Sequence, residues 1–430
     1  MDYKVSKFNI TVPVENSNEI ILFNSKETSF VVLDEKHLGF LNNINEINTY
    51  EEEVVSNLIE LGFLVDENLD EIECIKEETK KARASNEALS ITIATTLDCN
   101  MNCYYCFENA SKNKKYLTKD VGDKIIAHIT SRLSEGTFKK LMIIWTGGEP
   151  LLNKEIIQYI SEPLIKYCAE NELEYRASVV TNGLLLTEET SKFLEDMKVR
   201  DIQVTIDGLE STHNKRRTSA DKVNSFQTIL NNINIAQKYV VVAIRVNVDH
   251  NNKQEIKELL DYLHNTMDYK NNEKITVNLA QVNECIHSLS LEEYLNFYRD
   301  IYDTYILDNK IEKYYPVHLM FACGAQCKDS YVIGPEGEVY RCWEEVGMKE
   351  AAIGIVEKID HTCEASTKYL TDMWPKECEE CSYLPMCHGG CPKARLANGN
   401  KPICIPQINA LDKYLKKYYE FWETNEEQED

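Results

Sequence analysis

The amino-acid sequence predicts an α/β protein, built around an open, partial barrel of six parallel strands between a small N-terminal domain and a cysteine-rich C-terminal domain. Three observations support this prediction. Apolar runs alternate with amphipathic helical segments six times between residues 89 and 310. The first 70 residues show short strand-like runs followed by helices. Nine of the 15 cysteines fall within residues 323–404.

The N-terminal 70 residues predict a small unit of their own. Aromatic and β-branched runs predict three strands, apolar spacing predicts two helices, and a closing strand follows Gly62. This order of elements is similar to a winged-helix unit. Residues 71–88 are polar and charged, which predicts a linker or an exposed helix. The predicted strands are 3–14, 19–23, 29–33 and 63–65, and the predicted helices are 35–41 and 50–61.

Residues 89–310 predict the partial barrel. Repeated strand-then-helix units join parallel strands by right-handed crossovers, and six units are fewer than the eight of a closed barrel. The chemistry of such a sheet is expected at the carboxyl ends of its strands. The predicted strands are 89–96, 140–145, 174–181, 201–206, 239–248 and 274–281, and the predicted helices are 118–134, 152–170, 187–198, 223–238, 252–267 and 290–307.

The regular alternation ends near residue 310. Residues 311–410 combine clustered cysteines with Gly and Pro, and so short a loop-rich region buries too little core to fold without added cross-links. Bound metal is therefore expected there. Residues 411–430 are expected to form the end of a C-terminal helix and an acidic tail.

Composition excludes several classes of protein. The formal net charge is −24, and residues 1–90 hold 19 Asp and Glu against 8 Lys and Arg. An acidic chain is a poor match for nucleic acid, whose binding requires a basic surface. The longest apolar stretch, 239–244, is far shorter than the roughly 20 residues of a membrane span. With no signal-peptide pattern at the N-terminus, we expect a cytoplasmic protein without a membrane partner, where cysteines serve as metal ligands or catalysts rather than disulfides.

The first chemical motif follows the first barrel strand directly. Cys99, Cys103 and Cys106 have the spacing CxxxCxxC. Three thiolates can hold a 4Fe–4S cluster and leave one iron open to a ligand. A zinc knuckle is the alternative, but no nearby histidine would complete it.

A second motif ends the second barrel strand. Gly147, Gly148 and Glu149 form the sequence GGEP with Pro150. The glycines let backbone approach a ligand closely, and the carboxylate can meet a cation. Alone this is a weak turn signal, and its place one strand after the cysteine loop makes it informative.

These motifs resemble the radical S-adenosylmethionine (SAM) superfamily, over residues 89–310. The resemblance implies that the three cysteines hold the catalytic cluster and that SAM chelates its open iron. It also implies that an aromatic residue precedes the third cysteine, that GGEP lies against the amino group of SAM, and that polar residues at later strand ends contact its ribose and carboxylate. The residues that carry these implied SAM contacts are Tyr105, Gly147, Gly148, Glu149, Asn182, Asp207, Arg217 and Asn247.

The implied chemistry is radical generation. One electron from the reduced cluster cleaves SAM to methionine and a 5′-deoxyadenosyl radical, which takes hydrogen from an unreactive C–H bond. The protein supplies orientation and excludes water and oxygen.

The second group of cysteines has the pattern CxxCxxxxxCxxxC from residue 378, with GxxxxC at 337–342 before it and Cys404 after it. This pattern resembles the SPASM extension of peptide-modifying radical SAM enzymes. That extension holds two auxiliary 4Fe–4S clusters. The sequence leaves open whether Cys327 is a ligand or whether the first auxiliary cluster keeps an open iron, and structural zinc is the alternative to both clusters. The resemblance assigns Cys323, Cys327, Cys342 and Cys391 to the first auxiliary cluster, and Cys378, Cys381, Cys387 and Cys404 to the second.

Four cysteines remain outside these sets. Cys168 lies in a predicted barrel helix and is expected to pack in the core. Cys285 follows the sixth strand, near the expected substrate. Cys74 and Cys363 carry no readable signal.

With the barrel and extension identified, residues 1–70 resemble the leader-recognition domain of peptide maturases, in which a leader peptide adds as a strand. The exposed edge would be 29–33. The leading hypothesis is therefore an enzyme that joins a Cys sulfur to carbon in a ribosomally made precursor peptide, with flavodoxin or ferredoxin as electron donor. The alternative is an N-terminal packing domain with no ligand.

Three alternatives stay open. Other radical crosslinks, through carbon–carbon or ether bonds, use the same scaffold. Anaerobic sulfatase-maturing enzymes are similar in barrel and extension, but they normally carry Asp after the cysteine aligned with Cys342, where this chain has Trp343, and they usually lack the N-terminal unit. A non-catalytic iron–sulfur protein that binds leaders would require a broken SAM site.

Overall fold

The computed structural model describes residues 3–110, 113–282, 286–302, 305 and 315–426. In chain order the strands are β1 (Tyr3–Val5), β2 (Asn9–Pro13), β3 (Glu19–Asn24), β4 (Ser29–Asp34), β5 (Leu64–Asp66), β6 (Ala88–Ala94), β7 (Met101–Cys103), β8 (Lys140–Thr146), β9 (Glu174–Thr181), β10 (Val199–Thr205), β11 (Arg217–Ser219), β12 (Val241–Val248), β13 (Ile275–Gln281), β14 (Ser330–Ile333), β15 (Val339–Tyr340), β16 (Gly354–Ile355) and β17 (Lys358–Ile359).

The α-helices among the described residues are α1 (Glu52–Glu60), α2 (Glu71–Arg83), α3 (Lys119–Glu135), α4 (Lys154–Glu170), α5 (Glu188–Asp196), α6 (Glu210–Arg216), α7 (Ser225–Ala236), α8 (Ile256–Met267), α9 (Leu291–Ile301), α10 (Glu364–Leu370), α11 (Leu384–Cys387), α12 (Pro392–Ala397), α13 (Pro406–Asn409) and α14 (Leu411–Glu426). None of them is long and apolar enough to cross a membrane.

The chain divides into two compact units. One comprises Met1–Arg83, Leu295–Cys323 and Met373–Asp430, and the other comprises Ala84–Tyr294 and Gly324–Asp372. The sequence instead predicts consecutive domains at 1–70, 89–310 and 311–410, whereas the structure distributes the cysteine-rich region over both units.

The larger unit, Ala84–Tyr294 with Gly324–Asp372, contains an eight-stranded sheet in the order β13-β12-β10-β9-β8-β6-β14-β15. The six predicted barrel strands are confirmed: they are adjacent and parallel, and the helices between them follow the predicted alternation. The cysteine-rich region adds β14, parallel to β6, and β15, antiparallel to β14. The sequence misses these two strands because β14 and β15 span only four and two residues and come after the alternation has ended.

Alternating burial along the strands separates the two faces of this sheet. In β12, Arg245 and Asn247 are half-buried on one face. A period of two in a strand places alternate side chains on opposite faces. The face with Arg245 and Asn247 therefore lines the interior of the partial barrel. The fully buried side chains of the other face are Val242, Ile244, Val246 and Val248.

The smaller unit contains two antiparallel sheets, β1-β5 and β2-β3-β4. The first predicted strand, 3–14, is two strands separated by a turn, so β1 pairs with β5 while β2 pairs with β3. The predicted helix 35–41 is two short 3-10 turns. One core cluster of this unit consists of Leu22, Phe40, Ile47, Leu58, Phe63 and Leu64.

The segment predicted as a linker or exposed helix is α2, and it is part of the smaller unit. Ile72 and Ile75 are buried in a cluster with Phe8, Trp374 and Leu384. The sequence of α2 is mostly charged, so two apolar side chains on one face determine its packing. Charge alone therefore misrepresents this segment as solvent-exposed.

Candidate active site

The three-cysteine loop follows β6 and is held by a short ladder. In that ladder β7 pairs antiparallel with β11, and Cys103 lies opposite Arg217. The backbone N–H of Cys106 donates to the carbonyl of Cys103 at 3.3 Å. A loop of this length would be free to move without such bonds, so the ladder orients the three thiols.

The loop borders a cavity of about 230 Å³ at the carboxyl ends of the parallel strands. Eleven residues carry the predicted catalytic and SAM-contacting roles, and nine of them line this cavity. They are Cys99, Cys103, Tyr105, Cys106, Gly147, Gly148, Asn182, Arg217 and Asn247. Glu149 and Asp207 are outside the lining and have no exposed surface.

Gly147 and Gly148 bring the GGEP turn against the cysteine loop. Gly148 N–H donates to the Thr96 carbonyl at 3.0 Å, and Glu149 N–H donates to the Asp98 carbonyl at 2.9 Å. A Cβ added to Gly147 would lie 2.2 Å from the Thr96 carbonyl oxygen, and one added to Gly148 would lie 2.2 Å from that of Asp98. Only glycine fits such an approach between two backbones.

Glu149 lies beneath the cavity and accepts hydrogen bonds from the chain itself. Its carboxylate receives Leu151 N–H at 3.1 Å, the Thr181 hydroxyl at 2.8 Å and Asn182 N–H at 2.7 Å. Burial raises the pKa of Glu149, although these donors and Arg217 oppose the rise. Glu149 therefore joins the GGEP turn to the end of β9, and its implied contact with SAM stays a prediction.

Asp207 has a comparable position under Tyr105. One carboxylate oxygen accepts the Tyr105 hydroxyl, and the other accepts Asn247 N–H at 2.8 Å. Arg217 donates to the Tyr105 hydroxyl at 2.7 Å. Burial would lower the pKa of Arg217, but the neighbouring Cys103, Tyr105 and Asp207 raise it well above its usual value. This buried guanidinium is therefore a fixed positive charge beside the cysteine loop.

Asn182 connects the third strand to the cysteine loop. Its side-chain amide donates to Asn100 Oδ1 at 2.7 Å and lies 3.7 Å from Cys99 Sγ. Amide donors near a sulfur ligand stabilise the thiolate. Asn182 can therefore position Cys99.

Sequence reasoning misses a buried ion pair behind the cavity. Arg216 Nη1 lies 2.5 Å from Asp249 Oδ1, and the side chains are 3% and 0% exposed. The Tyr104 hydroxyl donates to the same carboxylate, and the Arg216 guanidinium lies over the Tyr104 and Tyr105 rings at 5.3 and 5.1 Å. Asp249 follows β12 as Asp207 follows β10, so the pattern of a carboxylate at a strand end could have identified it.

Sequence reasoning also misses several residues on the cavity wall. They come from the strands and from the turn after Cys342. For Gln203 and Arg245, alternation with buried residues along the strand is the signal that could have identified them. The missed wall residues are Gln203, Thr205, Arg245, Gln281, Trp343 and Glu344.

The thiols of the loop fit an iron–sulfur cluster. Burial, with the neighbouring Glu108 and Cys103, raises the pKa of Cys106 to about 11, so the free thiol stays protonated and a bound cation would favour its thiolate. The loop supplies three thiols with no histidine beside them in the sequence, which matches the ligand set of an open cluster better than that of a zinc site.

The second auxiliary set lies together within the smaller unit. Burial and the neighbouring Cys381 and Cys404 together raise the pKa of Cys378 to about 11 and that of Cys387 to about 12. The buried Arg395 lowers the pKa of Cys378 and so favours its thiolate. Four neighbouring thiols beside a buried cation are a suitable ligand set for a negatively charged cluster.

The first auxiliary set stays a prediction. Cys327 and Cys342 belong to the larger unit, where the buried Arg341 donates to the Cys327 carbonyl at 2.9 Å. Cys323 and Cys391 belong to the smaller unit.

Four cysteines lie outside the predicted cluster ligand sets. Cys168 is 1% exposed in α4, which confirms the expected core packing. Cys74 and Cys363 are half-buried. Cys285, predicted to lie near the substrate, falls outside the described residues.

Comparison with known proteins identifies a radical SAM domain in this chain. Residues 93–263 match the Radical SAM superfamily. The chain is 24% identical over 368 residues to the cysteine-type anaerobic sulfatase-maturating enzyme of Clostridium novyi, covering 76% of this chain and 92% of that protein. It is 25% identical over 294 residues to the radical SAM cyclopropyl synthase TigE of Paramaledivibacter caminithermalis, covering 62% of this chain and 57% of that one.

A solved structure shares the fold. Native anSMEcpe with bound AdoMet and Cp18Cys peptide superimposes with a TM-score of 0.62 at 18% identity, over 78% of this chain and 98% of that chain.

Proposed function

This chain carries a radical SAM domain and is a radical SAM enzyme of the sulfatase-maturase and SPASM type, and we propose that it forms thioether crosslinks in a ribosomally made precursor peptide. In each crosslink a Cys sulfur would be joined to a carbon of another residue: that carbon would lose its hydrogen atom to the 5′-deoxyadenosyl radical, the thiol would lose its proton, and the remaining electron would pass to an auxiliary cluster. The observation that carries the proposal is one cavity lined both by the three-cysteine loop and by Trp343 and Glu344, which follow Cys342. A substrate there would lie between the radical source and the cysteine-rich region.

The residues of the cavity divide into two roles. Cys99, Cys103 and Cys106 would hold the 4Fe–4S cluster, which with SAM supplies the 5′-deoxyadenosyl radical. The polar wall made by Asn182 and Asn247 would orient SAM, as the family resemblance implies. The strand ends keep these groups rigid, so little reorganisation accompanies the reaction.

A peptide substrate is supported by a structural neighbour and by the smaller unit. The neighbour, anSMEcpe, has been solved with the Cp18Cys peptide bound. In this chain β4 is the edge of the sheet β2-β3-β4, and its residues Ser29–Leu33 are half-exposed. An open strand edge can accept an extended peptide as an additional strand. We propose that the leader of the precursor binds along β4.

Sulfatase maturation is the second candidate function. The extensive match to the Clostridium novyi enzyme, over 92% of its length, favours it. Trp343 disfavours it, because this residue stands where those enzymes normally carry Asp, and an indole cannot act as a base at neutral pH. Oxidation of a single Cys to formylglycine would not require a second residue in the cavity, whereas a crosslink does.

The first test is reductive cleavage of SAM. After anaerobic reconstitution with iron and sulfide, reduction with dithionite should produce 5′-deoxyadenosine, and Cys99→Ala should reduce it by at least about a hundredfold because the cluster loses a ligand. Chromatography of the quenched reaction measures the product. Cys168→Ala, in the core of α4, is the matched control and should keep the yield. Unchanged cleavage in Cys99→Ala would contradict the assignment.

The second test identifies the chemistry on the peptide. Co-expression with a cysteine-containing precursor should lower the peptide mass by about 2 Da for each thioether, because each crosslink removes two hydrogens. Tandem mass spectrometry then locates the linked residues. Replacement of a Cys CH2–SH group by an aldehyde CHO group, with no link to a second residue, would instead favour formylglycine formation.

A further inference from the structure

Arg245 is a cationic side chain inside the cavity. It lies in β12 opposite Thr205 of β10, on the same face as Asn247. It lines the cavity that also contains the three-cysteine loop. Its position is one alternation below Asn247, so it lies deeper in the barrel than the strand-end residues that the resemblance assigns to SAM.

The guanidinium of Arg245 is oriented but only partly used. Its Nε donates to Asn247 Oδ1 at 2.8 Å, which fixes the direction of the guanidinium. Its two terminal nitrogens have no hydrogen-bond or ion-pair partner within the described part of the chain. By contrast, the terminal nitrogens of Arg216 bind Asp249 and the Asn247 carbonyl, and those of Arg217 bind the Tyr105 hydroxyl and Met101.

An unused guanidinium is unexpected in this chain. Acidic residues outnumber basic ones by 71 to 47, so a carboxylate partner would be easy to supply. Two carboxylates, Glu108 and Glu344, line the same cavity, and neither forms an ion pair with Arg245 in the described structure. The remaining neighbours on this wall, Gln203 and Gln281, are neutral hydrogen-bonding groups. The terminal nitrogens of Arg245 are therefore available to an incoming anion.

Resting on the proposed function, we propose that Arg245 forms a subsite for a carboxylate side chain, Asp or Glu, of the peptide substrate. A guanidinium with two terminal nitrogens matches the two oxygens of a carboxylate. Gln203 and Gln281 can hydrogen-bond the peptide around it. Arg245 would thus select which segment of the precursor enters the barrel, as a specificity-determining residue that leaves the radical chemistry to other groups.

The experiment compares peptides that differ only in charge. The probes are short acetylated, amidated alanine peptides that contain one Cys and an Asp one, two or three positions after it, each paired with its Asn counterpart. Calorimetry under anaerobic conditions measures their binding to reconstituted, SAM-loaded enzyme without reductant. In the wild type at least one Asp peptide should bind about tenfold more tightly than its Asn partner.

Variants of Arg245 assign the preference. Arg245→Gln should abolish the preference for Asp, and Arg245→Lys should keep part of it because the charge remains while the two-point contact is lost. Arg176→Gln is the matched control: Arg176 is exposed, paired with Asp201 and absent from the cavity wall, so the preference should persist. Equal affinity within all three pairs in the wild type, including no measurable affinity, or a preference that survives in Arg245→Gln, would overturn the proposal.

Two further readouts separate the possible outcomes. If Arg245→Gln loses SAM affinity while the wild type shows no preference for Asp, the guanidinium serves the carboxylate of SAM and the substrate subsite is wrong. Formation of 5′-deoxyadenosine by the wild-type preparation tests the proposed function separately. Its absence would contradict radical SAM catalysis, whereas its presence without a preference for Asp would contradict only the subsite.

Discussion

Gly147 and Gly148 lie where the backbone of the GGEP turn touches the backbone that precedes Cys99. Two backbone hydrogen bonds join these segments, through the carbonyls of Thr96 and Asp98. The contact leaves no space for a side chain on either glycine. The position of the cysteine loop relative to the second strand therefore depends on the absence of a Cβ at both glycines.

A methyl group at Gly148 should force the two segments apart. We expect Gly148→Ala to lower the free energy of unfolding by about 1–3 kcal/mol and to weaken SAM binding by at least tenfold, because the added Cβ meets backbone that cannot rotate away. Equilibrium dialysis with SAM and urea unfolding measure the two effects. Gly399→Ala is the control, since its Cβ would meet nothing within 4 Å and only its positive φ of 63° opposes the change. Wild-type SAM affinity in Gly148→Ala would contradict this account.

The buried His213 makes the stability of the folded protein depend on pH. It is fully buried, and its Nδ1 accepts the backbone N–H of Asp207 at 3.2 Å. Burial, assisted by Arg217 and Arg216, lowers the pKa of His213 well below 6.5. The folded protein therefore keeps the ring neutral at pH values where the unfolded chain protonates it.

Stability should consequently fall as the pH drops below 6.5. Between pH 7 and pH 5.5 the unfolded chain binds a proton that the folded chain excludes, and the free energy of unfolding should decrease by about 1 kcal/mol from this residue. His213→Asn keeps an acceptor near the position of Nδ1 but does not titrate, so it should remove that part of the decrease. Anaerobic urea unfolding at the two pH values measures the difference. Equal pH dependence in the variant and the wild type would show that another group is responsible.

At the scale of secondary structure elements, the end of α6 is joined to the end of β12 by the Arg216–Asp249 pair. Both side chains are almost wholly buried, and Asp249 also accepts the Asn251 N–H at 2.8 Å. Removing one partner from a buried ion pair leaves the other charge without compensation. This pair therefore fixes how the loop after β10 meets the loop after β12.

Loss of one partner of the Arg216–Asp249 pair should lower the stability of the folded protein. We expect Asp249→Ala to lower the free energy of unfolding by about 3–5 kcal/mol, measured by urea unfolding of the reconstituted protein. Asp201→Ala breaks the exposed pair with Arg176 on the same sheet and should cost less than about 1 kcal/mol. Similar losses in the two variants would mean that the buried pair adds nothing beyond an ordinary surface contact.

The elements predicted from sequence differ in how well they agree with the structure. The barrel strands agree to within a few residues because their apolar runs are long and repeat with helices between them. The run 3–14 divides into β1 and β2, since a turn within an apolar run has no strong sequence signal. Helix α2 packs through two isoleucines, and β14 joins the sheet far from its neighbour β6 in sequence. Both features depend on contacts with distant residues, which local patterns do not contain.

At the scale of the whole molecule, the cysteine-rich region belongs to both compact units. Residues 324–372 join the unit of the parallel sheet, and residues 373–430 join the unit of the N-terminal sheets. Within the smaller unit, four thiols lie close enough to influence one another electrostatically: those of Cys378, Cys381, Cys387 and Cys404. A cluster held by these four would cross-link segments of one unit rather than build a separate domain.

Iron content should report this auxiliary set independently of catalysis. Reconstituted wild type is expected to hold about 12 iron atoms, and Cys378→Ala should lose about 4 of them because one cluster loses a ligand. Colorimetric iron analysis with Mössbauer spectroscopy measures the change. Cys168→Ala, a buried cysteine outside every predicted set, should retain all of the iron. An unchanged iron count in Cys378→Ala would exclude Cys378 as a ligand.

The sequence by itself determined the alternation of strands and helices, the three-cysteine motif and the GGEP turn, because each of these lies within a short stretch of chain with its own periodicity or spacing. Tertiary structure decided which of the implied SAM contacts line the cavity. Glu149 and Asp207 lie beneath it, since neighbouring donors claim their carboxylates. It also decided that Arg245 points into the barrel, because the face of a strand residue matters only once the strands beside it are in place.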